Sequence, residues 1–257
     1  MKRSSLLIVC VVVLGMLLTS AVWAQQRPSA YQTITLEDFD DPDGSPWMVR
    51  ASKFIREDFP SYQHVRTWPD ALYRREPEGM ELRSFGIHSQ FNRRGYNYLE
   101  ILPAQTGDDG ELVPRIIPGS VEENLERTGM RIPGLVENLN LWVWGSNHDY
   151  YLEVVLRDHR GMVHTLRVGD LNFLGWRNLR AQVPTWIPQT TRHVPGPSGL
   201  ELVKFVLWTR PNEKVDNFYV YLDELKVFTD VFDAPFDGEL LSDPESIREL
   251  WNQEGGL

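Results

Sequence analysis

The segment Asn138-Leu-Asn-Leu-Trp-Val-Trp144 decides the predicted fold, because its side chains alternate strictly between two faces. Leu139, Leu141 and Val143 fall on one face, and the two tryptophans fall on the other. A repeat of two is typical of a β-strand that turns one face to a core, whereas a helix repeats about every 3.6 residues. The segment therefore predicts a strand whose second face is aromatic.

Similar short segments occur along most of the chain and predict an all-β protein. Tyr150–Leu156 and Met162–Val168 flank the polar turn Asp158-His-Arg-Gly161, a combination that predicts a β-hairpin. Further strands are predicted at Ile34–Phe39, Gly79–Phe85, Tyr96–Leu102, Trp176–Val183, Glu201–Thr209 and Phe218–Phe228. Many short strands with joints rich in proline and glycine favour a jelly-roll-like β-sandwich, similar in kind to carbohydrate-binding modules.

Two segments depart from the strand pattern. Pro184–Gly199 contains four prolines and predicts a long connection within the sandwich. Near the C-terminus, Asp243 is placed as an N-cap and Pro244 as the first helical residue, so a short helix is predicted over Ser246–Trp251. We therefore expect a single β-sandwich domain over residues 25–257, with long loops and a short C-terminal helix.

Two further segments carry aromatic residues opposite an apolar face. In Leu202–Thr209 the apolar residues Val203, Phe205 and Leu207 alternate with Lys204 and Trp208. In Phe218–Leu222 the apolar residues alternate with Tyr219 and Tyr221. The rings on the second faces form a candidate contact face for a partner protein or a glycan. Its members are Trp142, Trp144, Trp208, Tyr219 and Tyr221. The alternative is that a loop, such as the segment 184–199, folds over these rings.

The apolar pattern of the last predicted strand slips by one residue in its middle. Leu222 belongs to the first phase, whereas Leu225 and Val227 belong to the second. One extra residue in one strand of a pair is the definition of a β-bulge. We therefore predict a bulge at Asp223-Glu224.

The first 24 residues have the composition of a targeting segment. Lys2 and Arg3 precede the apolar run Leu6–Leu18, and Val22-Trp-Ala24 offers small residues at the cleavage spacing. This order predicts a secretory signal peptide that is cleaved after Ala24, and the alternative is an uncleaved membrane anchor. Cleavage removes two basic residues and the only cysteine, which lowers the formal net charge from −10 to −12.

Charge and cysteine content exclude several classes of function. A protein with a sequence pI near 5.1 lacks the basic surface that nucleic acid requires. Without a cysteine after cleavage, thiol catalysis, cysteine metal sites and disulfides are also excluded. The chain contains no glycine-rich phosphate loop, no His-Glu-x-x-His pair and no Gly-x-Ser-x-Gly elbow. The spacing of the carboxylates leaves a pair for glycoside hydrolysis open, but the sequence singles out no catalytic residue.

The segment Glu37-Asp-Phe-Asp-Asp-Pro-Asp43 is dense in carboxylates. Oxygen-rich segments are what Ca²⁺ prefers, although the spacing here is not that of an EF-hand. If the first strand pairs with the last, Asp223 would join Glu37 or Asp38 at a structural Ca²⁺ site. The alternative is an acidic surface turn, and no other metal or cofactor is predicted.

Four blocks of sequence occur in an order that resembles a known family. They are Phe59–Leu72, which contains Trp-Pro-Asp-Ala-Leu, Phe91–Pro103, which contains Asn-Arg-Arg-Gly-Tyr-Asn-Tyr, Gly175–Leu179, and Val203–Asp230, which contains Val215–Phe228 with its Tyr-Val-Tyr-Leu-Asp string. Together they resemble the spirochaete flagellar filament outer layer (FlaA-type sheath) proteins, across nearly all of the chain after residue 24.

The resemblance implies a non-enzymatic structural protein that is exported to the periplasm and coats the flagellin core of the periplasmic flagellum. It implies contributions to filament shape, stiffness and cell motility. The implied partners are flagellin core subunits, other sheath proteins and further copies of the chain, with flagellin glycans as an additional candidate. No nucleic acid is expected, and no membrane is expected after signal cleavage. The alternative is a periplasmic carbohydrate-binding, lectin-like module, because tryptophan and tyrosine on one sheet face stack on sugar rings.

Overall fold

The computed structural model describes residues 30–117, 127–189 and 199–231, and the regular elements within them are thirteen β-strands. The strands are β1 (Tyr31–Glu37), β2 (Trp47–Ala51), β3 (Ser61–Val65), β4 (Ser84–Ser89), β5 (Tyr98–Thr106), β6 (Leu112–Pro114), β7 (Met130–Ile132), β8 (Leu135–Ser146), β9 (Tyr151–Arg157), β10 (Val163–Asp170), β11 (Leu174–Gln182), β12 (Leu200–Trp208) and β13 (Phe218–Asp230). The predicted signal peptide and the predicted C-terminal helix lie outside the described residues. In the part that is described, no helix is long and apolar enough to cross a membrane.

The strands form two antiparallel sheets. Sheet 1 has the order β11-β8-β13-β4-β3, and β1 also pairs with β13. Sheet 2 has the order β10-β9-β12-β5-β2, with β6 on β5 and β7 on β12. The two sheets form a β-sandwich, which confirms the predicted fold class.

The core lies between the sheets and is built from the inner faces of both. Leu139, Leu141 and Val143 of β8 have no exposed surface, as the alternation in this segment predicts. Rings from different elements meet in the same layer: Phe91 stacks on Phe218 with centroids 6.1 Å apart. Burial of each large apolar side chain contributes about 1.5–3 kcal/mol, so this layer is the main stabilising element of a chain that lacks disulfides.

Most predicted strands are confirmed, with one misplaced and four missed. The strand predicted at Gly79–Phe85 is wrong, because β4 begins at Ser84. Gly79 has a φ of +83° and the Leu82 N–H donates to a Glu76 carboxylate oxygen, so the backbone before Ser84 is not free to join a sheet. The strands β2, β3, β6 and β7 were not predicted, since each is only three to five residues long.

The predicted bulge is confirmed. The pairing of β13 with β8 shifts register between Asp223 and Lys226, and Glu224 has a φ of +48°. At this point β13 also changes its other neighbour, from β4 up to Leu222 to β1 from Leu225 onward. A second register shift, in β12 after Leu202, corrects the prediction for Val203, since Leu202 is buried in the core in its place.

Candidate functional site

The outer face of sheet 1 carries a row of aromatic side chains that runs across the strands. The register places Trp176 of β11 opposite Trp144 of β8, and Trp144 opposite Tyr221 of β13. Tyr221 in turn lies opposite Gly86 of β4. Residues in register on adjacent strands point to the same side of a sheet, so these rings share one surface.

The rings of this row hold each other in defined orientations. Trp144 and Tyr221 meet edge to face, with centroids 5.5 Å apart and an interplanar angle of 84°. Trp176 reaches the same tyrosine at 6.4 Å. Gly86 has no side chain, and a Cβ atom at this position would lie 3.0 Å from the Tyr221 ring. The tyrosine therefore lies directly over the Gly86 backbone, and edge-to-face packing keeps the row rigid.

A second row lies beside the first, toward the end of the sheet. The His88 ring of β4 stacks on Tyr219 of β13, with centroids 4.1 Å apart and an interplanar angle of 8°. His88 Nε2 also lies 2.7 Å from Oδ1 of Asn217. At the edge of the sheet Leu174 is 73% exposed, and Tyr219 itself is 38% exposed. This row therefore offers apolar surface to a neighbouring molecule.

We call this surface the aromatic platform. Its members are Trp142, Trp144, Trp176, Tyr219, Tyr221, His88 and Leu174, and none of them is an Asp, Glu, Lys or Arg. Trp142 marks its border, because the residue opposite it on β13 is the buried Asp223. Four of the five residues predicted for the contact face are thus brought together. Trp176, His88 and Leu174 were missed, since only the strand register shows that they join the same surface.

Trp208 corrects the prediction of a single aromatic face. It lies on β12, on the outer face of sheet 2, where it packs against Tyr98 at 5.1 Å and Tyr151 at 6.3 Å. Its indole N–H donates to Glu153 across 2.9 Å. The alternation within β12 places Trp208 on an outer face, but which sheet contains β12 depends on its pairing with β5 and β9.

The outer face of sheet 2 is covered by paired charges. The Arg167 guanidinium lies 3.9 Å from the centroid of the Tyr151 ring. Arg210 bonds to Asp149 at 2.9 Å and to Asp170 at 3.0 Å. Further ion pairs join Arg157 to Glu201 and Lys204 to Glu100. The aromatic side chains of this sheet are therefore shielded by charged groups that water solvates well.

The alternative that a loop covers the platform is tested only in part. In the described half of this loop, Gln189 bonds to both backbone groups of Val136, and Ile187 is buried. Trp186 contacts His164 on β10, with ring centroids 5.4 Å apart. These contacts direct the described half toward β8 and β10 rather than onto the platform rings. Residues 190–198 lie outside the described ranges.

Among the described residues, His164 and Asp158 form the closest pair of a histidine and a carboxylate. The other bonds of this aspartate give it a structural role. Nε2 of His164 lies 2.8 Å from Oδ2 of Asp158. Oδ1 of the same aspartate accepts the backbone N–H groups of Arg160 and Met162, each at 2.9 Å. These bonds to the charged form hold the pKa of Asp158 below its ordinary value, although burial opposes the shift. The aspartate thereby closes the β9–β10 hairpin turn.

The acidic segment 37–43, which begins at the last residue of β1, has its first carboxylate inside the protein. Glu37 is buried and accepts the Phe39 N–H at 3.1 Å, the Trp47 indole N–H at 3.0 Å and the Ser45 hydroxyl. Burial raises the pKa of Glu37, against the effect of these bonds.

Asp223, the other residue considered for a Ca²⁺ site, faces Ser84 at 3.1 Å. Burial raises the pKa of Asp223 to about 8, with a further contribution from Glu224 and Asp40. Over residues 30–117, 127–189 and 199–231, no group of three or more His, Cys, Asp and Glu side chains is arranged to hold a metal ion. The Ca²⁺ site stays a prediction.

Comparison with known proteins gives a family match over most of the chain. Residues 29–237 match the family described as flagellar filament outer layer protein FlaA. A Brachyspira hyodysenteriae protein described as flagellar filament outer layer-like is 27% identical over 161 residues, which are 58% of this chain and 71% of that protein. The flagellar filament outer layer protein of Borreliella burgdorferi is 26% identical over 137 residues, which are 48% of this chain and 40% of that protein.

Solved structures with a similar arrangement of strands are distant in sequence. A carbohydrate-binding module of the β-sandwich superfamily has a TM-score of 0.44 and 9% identity, and covers 74% of this chain and 60% of its own. A family 11 carbohydrate-binding module of a Clostridium thermocellum cellulase has a TM-score of 0.39 and 8% identity, and covers 78% of this chain and 96% of its own. Likeness at this level transfers neither a ligand nor an activity.

Proposed function

Because the chain belongs to the family of flagellar filament outer layer proteins, we propose that it is a non-enzymatic structural subunit of the sheath of the periplasmic flagellar filament. In this role it coats the flagellin core and contributes to the shape and stiffness of the filament, and so to motility. Its partners are core subunits, other sheath proteins and further copies of itself. Its location is the periplasm.

The aromatic platform is the observation that carries this proposal within the molecule. Its rings are partly exposed, carry no formal charge and lie on a rigid six-stranded sheet. Large aromatic side chains with few charges among them are what the centres of protein interfaces contain. The chain as a whole has a net charge of −10, so an uncharged face is where a second acidic protein approaches with little electrostatic cost. We therefore place the contact with the filament on the platform.

A filament coat does not need a strong contact at each subunit. Repetition of one modest interface along a polymer produces high avidity, because neighbours hold each other in place. A platform of a few half-buried rings is suited to such a contact, since it is rigid before binding and loses little conformational freedom.

Co-sedimentation with purified filament cores tests this function. We expect the unmodified protein to pellet with the cores after washes in high salt and mild detergent. Trp144→Ala combined with Trp176→Ala should weaken binding by about tenfold or more, since buried aromatic anchors carry much of the energy of an interface. Trp208→Ala is the matched control, because it removes a half-buried tryptophan from the opposite sheet, and it should leave binding within about twofold.

Each other outcome has a defined meaning. Failure of the unmodified protein to pellet contradicts the sheath role. Equal losses in the platform variant and in Trp208→Ala, with unchanged circular dichroism, contradict the platform as the contact. Retention on a polysaccharide column, together with release from the cores as a free monomer, would support the carbohydrate-binding module instead. Binding that is lost on deglycosylated cores would identify flagellin glycans as the partner of the platform.

A further inference from the structure

One corner of the sandwich carries a group of exposed carboxylates that lack cationic partners. They come from the β1–β2 connection and from the β5–β6 turn, and comprise Asp38, Asp41, Asp43, Asp108, Asp109 and Glu111. Asp43 and Thr106 line the same cleft, so the two segments are adjacent. None of these carboxylates forms an ion pair with the residues that the structure describes. We call this surface the acidic corner.

A second surface has the opposite charge. The β2–β3 connection and the β4–β5 connection are joined by backbone bonds, from the Arg56 N–H to the Gln90 carbonyl at 3.0 Å and from the Asn92 N–H to the Phe54 carbonyl at 2.8 Å. The exposed cations on these two connections are Lys53, Arg56, Arg93 and Arg94. Within the described ranges none of them has an ion-pair partner. We call this surface the basic arch.

The two surfaces lie at opposite ends of the same pair of strands. β2 and β5 are antiparallel, with Ala51 opposite Leu99 at one end and Trp47 opposite Pro103 at the other. The basic arch follows Ala51 and precedes Tyr98, whereas the acidic corner precedes Trp47 and follows Thr106. β2 is five residues long and β5 is nine, so at about 3.3 Å per residue the two surfaces are separated by at least about 13 Å along β2 and by about 26 Å along β5. Both distances exceed the Debye length of about 8 Å at physiological salt, so the two surfaces do not neutralise each other.

From this arrangement we propose that copies of the chain associate head to tail, with the basic arch of one copy against the acidic corner of the next. The proposal deepens the proposed function by naming how neighbouring subunits meet. Guanidinium groups match carboxylates in a bidentate geometry, which gives such a contact orientation as well as attraction. The interface joins two different surfaces, so it does not close on itself and continues as an open row of subunits.

Both surfaces are held in place before any contact forms. On the arch, the Arg93 guanidinium lies 3.3 Å from the centroid of the Phe54 ring. The Asn97 N–H donates to Thr209 Oγ1 at 3.0 Å, and the same hydroxyl donates to the Gly95 carbonyl at 2.8 Å. Tyr96, which lies between these bonds in sequence, is 65% exposed beside the arginines. Arginine and tyrosine on a rigid loop are typical of strong interface contacts.

The acidic corner is similarly ordered by its own backbone. Asp41 Oδ1 accepts the Gly44 N–H at 2.9 Å, and Asp109 Oδ1 accepts the Glu111 N–H at 3.1 Å. These bonds use one oxygen of each carboxylate and leave the other for a partner. The nearby Arg115 guanidinium bonds to Ser45 Oγ at 3.0 Å and to the Ala104 carbonyl at 3.1 Å.

Each surface contains some opposite charge, and in neither case does it cancel the excess. Glu57 and Asp58 follow the arch cations in the β2–β3 connection, and Arg115 lies beside the corner. The arch therefore stays net positive and the corner net negative in a chain of net charge −10. In a protein of this charge, the arch is a specific point of attraction for another copy.

Sedimentation velocity of the purified full chain, without filament cores, tests the contact. We expect concentration-dependent association at about 0.02 M salt that is lost at about 0.5 M, since exposed charges are screened at high ionic strength. Lys53→Glu with Arg94→Glu, the arch variant, should weaken association by about tenfold or more. Asp43→Lys with Asp108→Lys, the corner variant, should do the same. Arg74→Glu with Arg75→Glu changes the net charge equally on the β3–β4 connection and should leave the association much less affected.

Charge exchange provides the decisive measurement. Neither variant should associate alone, whereas an equimolar mixture of the two should associate again, because each altered surface then meets its new complement. A chain that carries all four substitutions should also recover. A monomeric unmodified protein at low salt, or a folded mixture that does not recover, would overturn the proposal. An unmodified protein that stays monomeric at low salt but still binds filament cores would overturn this inference alone and leave the proposed function intact.

Discussion

The two outer faces of the sandwich contain the same kinds of ring and differ in what surrounds them. On sheet 2, the Trp208 indole N–H donates to Glu153, and Arg167 lies over Tyr151. On sheet 1, Trp144 and Trp176 both contact Tyr221. Among the described residues, no charged group lies over these two indoles, and no acceptor bonds to their N–H groups. The rings of sheet 2 therefore already have bonding partners within the protein. The rings of sheet 1 expose apolar surface, and its burial against a partner protein is favourable.

The contrast shows that aromatic residues on an outer face are not by themselves evidence of an interface. Rings with charged neighbours stabilise a solvated surface, because cation–π contacts and bonded indoles need no second molecule. Rings that contact only one another leave apolar area exposed to water. Burial of this area contributes about 25 cal/mol of free energy for each Å². This difference in surroundings, rather than the number of rings, assigns the contact to sheet 1.

The largest expected effect concerns Asp223, which borders the platform as a buried carboxyl without a cationic partner among the described residues. By contrast, Glu100, Asp170 and Glu201 of sheet 2 each pair with a cation. Its pKa is raised to about 8 by burial, so the folded protein holds the proton more tightly than the unfolded chain, where the ordinary value is 3.8. The contribution of this carboxyl to the free energy of unfolding is therefore greatest below about pH 4, and it is lost as the pH rises toward 8. Across this window the contribution is on the order of 5 kcal/mol.

Asp223→Asn should flatten this dependence and make the protein more stable than the unmodified chain at pH 8. Urea unfolding in a chelating buffer at several pH values measures the effect. Asp170→Asn is the control, since its half-exposed carboxylate pairs with arginines on sheet 2 and should change the free energy of unfolding by less than about 1 kcal/mol. If Ca²⁺ raises the melting temperature of the unmodified chain and not of Asp223→Asn, the carboxylate is an ion ligand and the proposed titration is wrong.

The next effect tests whether the platform depends on the bare backbone of Gly86. A Cβ atom there would lie 2.7 Å from a Val65 methyl carbon and 3.0 Å from the Tyr221 ring. Gly86→Ala should therefore lower the free energy of unfolding by about 1–3 kcal/mol through overpacking. In a double-mutant cycle with Tyr221→Ala the losses should be less than additive, because removal of the ring relieves part of the clash. Strict additivity would show that the ring does not rest on Gly86.

The sequence alone predicts those features of the two faces that depend only on neighbouring residues. Strict alternation in Asn138–Trp144 and the phase slip at Asp223-Glu224 are properties of consecutive residues, and both predictions are confirmed. Membership of a sheet is set by pairings between distant strands, so the place of Trp208 could not be derived from its own neighbours in sequence. Trp176 was missed for a related reason, because Asn178 and Arg180 on the same face of its strand are polar. Only the register with β8 shows that it completes the row.

The smallest effect tests the charged cover of sheet 2. Arg167 lies over the Tyr151 ring and also pairs with Asp170, and its side chain is 43% exposed. Arg167→Ala should lower the free energy of unfolding by about 0.5–1 kcal/mol, as expected for an exposed cation–π contact. Thr165→Ala, on the same strand, is a control for the loss of side-chain bulk. Co-sedimentation with filament cores should not change, because the platform is on the other sheet. Increased binding of Arg167→Ala to the cores would show that the uncovered rings of sheet 2 are also able to make the contact. The two faces would then differ only in their charged cover, and the arrangement of the platform would not matter.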